Sequence, residues 1–203
     1  MLRLGLTGGI ASGKSAVAGM LREMGFNVLD ADRLGHTLIE AGTPGYDAIV
    51  REFGAGVIGA DGQIDRKKLG AMVFQDRGKL ERLNGILHPR VEQEMLRQFL
   101  EWEKGGVRDA VFVEAALLVE AGYQTNLDGL VVAWCRPEQQ VERLLRRGLS
   151  EVEARRRIAS QLPAAEKLQY ATEKIDCAGS LEETRRQVGE LAARLRQRPA
   201  GGV

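Results

Sequence analysis

Leu6-Thr7-Gly8-Gly9-Ile10-Ala11-Ser12-Gly13-Lys14-Ser15 stands near the start of the chain. Residues 8–15 satisfy the pattern G-x-x-x-x-G-K-[ST] at every fixed position. Glycines at such spacing let the backbone turn left-handed and point several N–H groups into one concavity. The helix that follows aims its N-terminal dipole at the same spot. A lysine at position 14 reaches the β- and γ-phosphates of a nucleotide, and the Ser15 hydroxyl is suited to Mg²⁺. The flanks agree with this. Leu2 to Thr7 is a short β-type run, and Lys14 to Met24 carries Val17, Met20, Leu21 and Met24 at helical spacing, with Gly25 as a stop. A glycine-rich turn with a chance lysine would lack that strand and helix. The loop leaves the reaction open, because switch proteins, ATPases, sulfotransferases and small-molecule kinases share it.

Outward from the loop, strand and helix alternate. Phe26–Asp30, Val111–Val113 and Leu130–Cys135 read as strands, with a weaker one at Ile175. Helical segments between them predict a mostly parallel α/β sheet. Between about 33 and 104 the strand signals fade. Thr43-Pro44 reads as an N-cap with proline at the first helical position, and Asp61-Gly62 as a turn. Segments 65–74, 77–87 and 90–103 read as helices, so this stretch is a helical insertion that Gly105-Gly106 closes. Residues 137–171 are helical and arginine-rich. The last helix opens with a capping box, Ser180 to Glu183, and runs to about Gln197, with a frayed tail beyond.

Composition bounds the function. The chain has 203 residues, 44% hydrophobic and 28% charged, enough for one core with inserted lobes. Lys+Arg number 29 against 28 Asp+Glu, a net charge of +1, without the basic excess of a general nucleic-acid binder. Cys135 and Cys177 are the only cysteines. They suit a reducing cytosol and cannot form a zinc site alone. No apolar run approaches the ~20 residues that span a bilayer, and the N-terminus lacks a signal-peptide pattern. A soluble cytoplasmic protein is expected, with neither membrane nor nucleic acid as partner.

Asn27, Asn84 and Asn126 are followed by Val, Gly and Leu, so no Asn-Lys-x-Asp guanine-reading segment exists. A Leu-Ser-Gly-Gly-Gln transporter segment is also absent. A small nucleotide-dependent kinase remains. It needs a carboxylate near the acceptor hydroxyl, an acceptor site, and cations for the moving phosphoryl group. Asp30-Ala-Asp32 lies just past the second strand, where open α/β sheets collect ligands. Alternation along an extended segment would put both acids on one side; a turn and helix N-cap explain the same residues. Arg136 to Arg157 holds seven arginines against four glutamates, with Arg143 and Arg147 on one helix face and a break at Gly148-Leu149-Ser150. That is a lid design, with Arg147 the first candidate for a phosphate contact; a solvated face of i,i+4 pairs accounts for most of the others. Val113-Glu114-Ala-Ala-Leu-Leu-Val-Glu120 reads as a β-type run ending in an acid, and Glu114 within it is either a helper for Mg²⁺ through water or a solvent-facing acid at a strand end. His36 reads as a helix-surface residue, and His88 as a helix boundary before Pro89. Trp102, Trp134 and Cys135 read as packing residues.

Taken in order, several pieces resemble one family, the dephospho-coenzyme A kinases. They are Leu6 to Ser15, Val28-Leu-Asp-Ala-Asp32, Leu87-His88-Pro89, Leu117-Leu118-Val-Glu120, Arg143-Leu-Leu-Arg-Arg147, Arg157-Ile-Ala-Ser-Gln161, Lys167, and Ile175-Asp176 followed by Gly179. The series runs from residue 2 to about 195. The chain departs from the family pattern at Ala16, Glu114, Ala116 and Cys177, where Thr, Asp, Pro and Asn are usual. The lid loop between Arg147 and Leu149 is one residue short.

The resemblance implies a three-layer fold: a five-stranded parallel phosphate-loop core over 1–32 and 105–203, a helical acceptor-binding domain over 33–104, and a lid over about 137–165. It implies transfer of the ATP γ-phosphoryl group to the 3′-hydroxyl of dephospho-coenzyme A ribose, with Mg²⁺. On this chain it makes Asp32 the base or hydroxyl-positioning group and Lys14 the residue that steadies the phosphoryl group. Residues Gly8, Gly9, Ile10, Ala11, Ser12, Gly13, Lys14, Ser15 and Ala16 hold the nucleotide. Ser15 and Glu114 serve the metal. Arg147 with Arg143 neutralises developing charge, and His88, Leu117 and Leu118 shape the acceptor site. Two other readings stay on the table. One is a kinase of the same architecture for a nucleoside monophosphate or a sugar. The other is a nucleotide-binding module without catalysis, which would bind ATP without acceptor-dependent ADP release.

Overall fold

Five short apolar runs form the sheet: β1 (Arg3–Thr7), β2 (Asn27–Asp30), β3 (Val111–Glu114), β4 (Gly129–Trp134) and β5 (Glu173–Asp176). The computed structural model describes residues 1–74 and 76–197, so the tail expected to fray lies outside the described residues. All strand pairs are parallel, in the order β2-β3-β1-β4-β5. β3 and most of β1 and β4 are buried, which is why they read as continuous apolar runs rather than alternating ones. β1 is central, between β3 and β4, and neither neighbour follows it directly in sequence. Ligands of open parallel sheets collect at the C-terminal strand ends beside such a reversal.

The chain divides into two units. The first is Met1–Asp30 together with Glu103 onward. Its helices are α1 (Lys14–Glu23), α6 (Pro137–Arg146), α7 (Glu151–Ala159), α8 (Ala164–Lys167) and α9 (Leu181–Gln197). One core joins α1 and α9 to the sheet through Leu6, Val17, Leu21, Phe112, Val188 and Leu191. Phe26 meets Phe112 edge-to-face at 5.6 Å, and the Arg196 guanidinium lies 5.1 Å from the Phe26 centroid. Gly148 turns left-handed at φ +86° and ends α6, and Ser150 caps α7. Ser180 and Glu183 form the expected reciprocal cap on α9.

The second unit, Ala31–Trp102, contains α2 (Ala31–Thr37), α3 (Pro44–Phe53), α4 (Arg66–Phe74) and most of α5 (Arg77–Lys104). Its own core is Ile39, Ile49, Val57, Ile64, Leu69 and Val73. Thr43 caps α3 as expected, its Oγ1 accepting the Tyr46 N–H at 3.1 Å.

Three expectations change. Segments 77–87 and 90–103 form one helix that runs through Pro89. Proline there disturbs the preceding turn, and the Arg90 guanidinium donates to the Ile86 carbonyl in that turn at 2.6 Å. His88 is therefore inside a helix, not at a boundary. Asp32 lies in the first turn of α2, as its second residue, so the extended alternation with Asp30 does not occur. β3 stops at Glu114, and Ala116–Ala121 form turns rather than strand.

A buried charge organises the turn that follows β3. Lys167, at the end of α8, has no solvent exposure. Its ammonium donates to the Ala116 carbonyl at 2.6 Å and meets both Glu120 oxygens, at 2.8 and 3.0 Å. Glu120 itself is partly open to solvent, but removing it strands the buried Lys167 ammonium, at a cost of up to about 3–5 kcal/mol. Glu120→Leu is expected to lower the urea midpoint accordingly with the slope unchanged; Glu120→Gln, which keeps an acceptor for the ammonium, is expected to lose less.

Candidate phosphate-transfer site

The loop between β1 and α1 is confined from below. A Cβ at Gly8 would sit 2.3 Å from the Ala133 carbonyl oxygen and 2.5 Å from Ser12 Oγ. A Cβ at Gly13 would sit 2.7 Å from Cys177 Cβ, and its φ of +111° is left-handed besides. The ends of β4 and β5 thus press on the loop at both its outer glycines. Ala11 takes a left-handed φ of +58° between them.

Side chains from α6 and beyond then orient the peptides. Gln140 Nε2 donates to the Ile10 carbonyl at 2.7 Å. The Arg143 guanidinium donates to the carbonyls of Ala11 at 3.1 Å, Ser12 at 3.2 Å and Cys177 at 2.6 Å. In a trans peptide the N–H opposes the C=O. Holding the Ile10 and Ser12 carbonyls therefore turns the Ala11 and Gly13 amides away from Gln140 and Arg143. The first amides of α1 lack intrahelical partners, and its N-cap Gly13 supplies no side-chain acceptor. Ser12 Oγ is buried with no partner among the described residues. These donors suit an anion with several oxygens.

A cleft of about 350 Å³ opens over the loop, lined by Gly9 through Ala16, Ala116, Arg147 and Gln161. Ser15 is exposed there, in the first turn of α1. Lys14 Nζ lies 2.8 Å from Glu114 Oε1, and Arg22 reaches Glu114 Oε2 at 3.3 Å. Glu114 is buried and engages both cations, so it is not a solvent-facing acid. Leu118 is buried, its Cδ1 3.1 Å from where a Gly5 Cβ would stand, whereas Leu117 is exposed.

The structure thus gathers Gly9–Ala16 and Arg147 around one cleft, with Gly8 and Arg143 beneath the loop and Glu114 beside Lys14. Asp32 and His88 belong to the helical unit. Asp32 is exposed at the start of α2, two residues beyond the end of β2. Burial holds the His88 imidazole below its ordinary value of 6.5, so it is neutral near pH 7. Burial raises both thiols, Cys177 to about 11, which keeps them protonated and unreactive. Sequence reasoning gave no role to Gln140, Gln161, Arg22 or the Lys167–Glu120 pair. Glutamines carry no charge signal, and the ion partners lie far apart in the chain.

Known proteins resemble this chain. The family model described as dephospho-CoA kinase matches residues 2–183. A dephospho-CoA kinase of Symbiobacterium thermophilum is 47% identical over 186 residues, 91% of this chain and 77% of that protein. One from Aquifex aeolicus is 42% identical over 200 residues, 98% of this chain and 100% of that protein. A solved structure, the dephospho-CoA kinase from Campylobacter jejuni, superposes with a TM-score of 0.70 at 27% identity, covering 95% of this chain and 96% of that one.

Gly13→Ala tests the confinement of the loop. The left-handed backbone costs about 1–2 kcal/mol for an L-residue, and the new methyl displaces the loop from Cys177. ATP affinity by calorimetric titration is expected to fall roughly tenfold or more, with the far-ultraviolet circular dichroism of the fold retained.

Proposed function

Because the chain belongs to the dephospho-CoA kinase family, we propose that the cleft over Gly9–Ala16 takes the ATP triphosphate and that Asp32 receives the acceptor hydroxyl. The protein is an ATP-dependent phosphotransferase that acts on the small molecule dephospho-CoA. The γ-phosphoryl group passes to the 3′-hydroxyl of the acceptor's ribose. The observation that carries the site reading is the loop itself: amides turned into a cleft, with Lys14 at the helix start and Arg147 on the rim.

Phosphoryl transfer leaves little covalent work to the protein; positioning and charge do most of it. The loop over Gly8–Ala16 holds the phosphates through the backbone N–H groups it does not use internally; those of Ile10, Ser12 and Ala16 already have Gln161, Gly9 and Gly13 as acceptors. Lys14 steadies the transferring group. Its partner Glu114 keeps the ammonium extended across the end of β3 before nucleotide arrives. Asp32 accepts or orients the hydroxyl proton. Arg147 offers a planar fork to charge on the transferring oxygens. Arg143, with its guanidinium on three carbonyls, acts by shaping the loop. His88, Leu117 and Leu118 help form the acceptor side, Leu118 as packing beneath it.

Ser15 fits Mg²⁺ as an exposed hydroxyl beside the loop, whereas Glu114, its two oxygens held by Lys14 and Arg22, would serve the ion through water; magnesium takes few protein oxygens alongside phosphate. Bound there, the ion would neutralise phosphate charge. Two free buried thiols support a reducing, cytoplasmic setting. Among the described residues no helix is long and apolar enough to cross a membrane.

ADP release with ATP and Mg²⁺ is expected to depend on dephospho-CoA and to yield coenzyme A. Stimulation by a nucleoside monophosphate or a sugar instead would move the enzyme to another acceptor. Asp32→Asn is expected to lower kcat about 10²–10⁴-fold with ATP affinity nearly unchanged; a matched loss of ATP affinity would make Asp32 a structural residue. Arg147→Lys keeps the charge and loses the fork, and a fall in kcat of about tenfold or more is expected.

A further inference from the structure

The Ile10 peptide is gripped at both ends by glutamines. Gln140 Nε2 donates to its carbonyl, and Gln161 Oε1 accepts its N–H at 2.7 Å. Gln140 is buried on α6; Gln161 follows the end of α7 and lines the cleft beside Arg147. Both amides also crowd Gly9, where a Cβ would lie 2.7 Å from Gln140 Nε2 and 3.7 Å from Gln161 Oε1. The two side chains fix consecutive peptide planes. Gln161 sets Gly9–Ile10, leaving the Gly9 carbonyl to accept the Ser12 N–H at 3.0 Å. Gln140 sets Ile10–Ala11.

Gln161 is itself aimed from behind. The next amide, Leu162 N–H, donates to Glu120 Oε1 at 2.9 Å. Glu120 is held by the fully buried Lys167, which also donates to the Ala116 carbonyl. That same carbonyl accepts from Thr7 Oγ1 at 3.3 Å, and Thr7 is the residue before Gly8. The hydrogen bonds close a ring: end of β1, Ala116, Lys167, Glu120, Leu162 with Gln161, Ile10, and back to the loop. A fully buried lysine anchors one side of the ring, and Gln161 stands on the other.

We propose that Gln161 is a positioning residue for phosphoryl transfer, holding the Gly9–Ile10 peptide so that the loop presents its remaining amides to ATP, and that the Glu120–Lys167 pair sets its place. The proposal rests on the cleft being the ATP site. Gln161 acts through the loop and carries no proton or charge in the reaction. Its loss therefore falls on nucleotide binding and spares the acceptor.

Gln161→Leu in the whole protein tests this, since leucine keeps most of the bulk and removes the acceptor. Four readouts separate the outcomes: ATP Kd by calorimetry without any acceptor, KM for each substrate, the melting temperature, and amide exchange at Ile10. The expected result is an ATP Kd and KM raised roughly tenfold, the dephospho-CoA KM within about twofold, a melting temperature nearly unchanged, and markedly faster exchange at Ile10. Unchanged ATP affinity or unchanged Ile10 exchange would overturn the proposal. So would a loss of stability with both KM values rising together, which is the signature of a merely structural residue. A wild type that binds ATP yet ignores dephospho-CoA would overturn the acceptor assignment instead, while ATP Kd and exchange would still judge Gln161.

Discussion

The site depends on a steric constraint: the phosphate loop must pass over the ends of β4 and β5 with no room for a side chain at Gly8 or Gly13. A glycine at each end lets the backbone settle onto the Ala133 carbonyl and the Cys177 side chain. Only from that depth can Gln140 and Arg143 reach the loop's carbonyls. The amides turn toward the cleft because the carbonyls are bound behind them. The chemistry of the loop is thus a consequence of packing below it. The departure at Cys177 enters here as a neighbour of Gly13.

Two carboxylates, Glu114 at the end of β3 and Glu120 six residues on, divide the remaining work. Glu114 faces Lys14 and Arg22, on the loop side. Glu120 faces Lys167 and, through the Leu162 amide, the segment that carries Gln161. Burying a charge is tolerable only with a well-placed partner and satisfied hydrogen bonds. Buried Glu114 and buried Lys167 each meet that condition with a partner of opposite charge, so the turn between Glu114 and Glu120 is pinned at each end. Within it Leu118 enters the core and Leu117 remains exposed. That gives the segment one side for packing and one free for other contacts.

The loop, its strand and its helix were legible in the sequence because the constraint is local: a glycine pattern, an apolar run and a 3.6-residue period lie within a short stretch. The parallel sheet was legible for the same reason, strand by strand. Position 32 was not. An acid after a strand reads equally as extended or as a helix start, and only the fold places it in the first turn of α2. Pro89 misled because the local rule against proline in a helix ignores what packing and the Arg90 side chain supply around it. Lys167, Glu120, Gln140 and Gln161 were visible as letters, and two of them carry charge. Their meaning lies in partners tens to more than a hundred residues away, which no window along the chain contains.

The arginine-rich segment shows how geometry separates residues that composition groups together. Arg146 pairs with Glu142, and Arg155 with Glu151, as exposed i,i+4 partners. Such pairs contribute about 0.3–0.5 kcal/mol each and explain their presence without chemistry. Arg143 and Arg147 share a helical phase yet do different things. Arg143 is inside α6 and buries its fork against the loop's carbonyls. Arg147 is the C-cap, where the helix ends before Gly148, and it lines the cleft. The helix therefore braces the loop with one guanidinium and offers the next one, a turn later, to the cleft. Because both belong to one helix, whatever moves α6 changes the loop's support and the cleft's charge together.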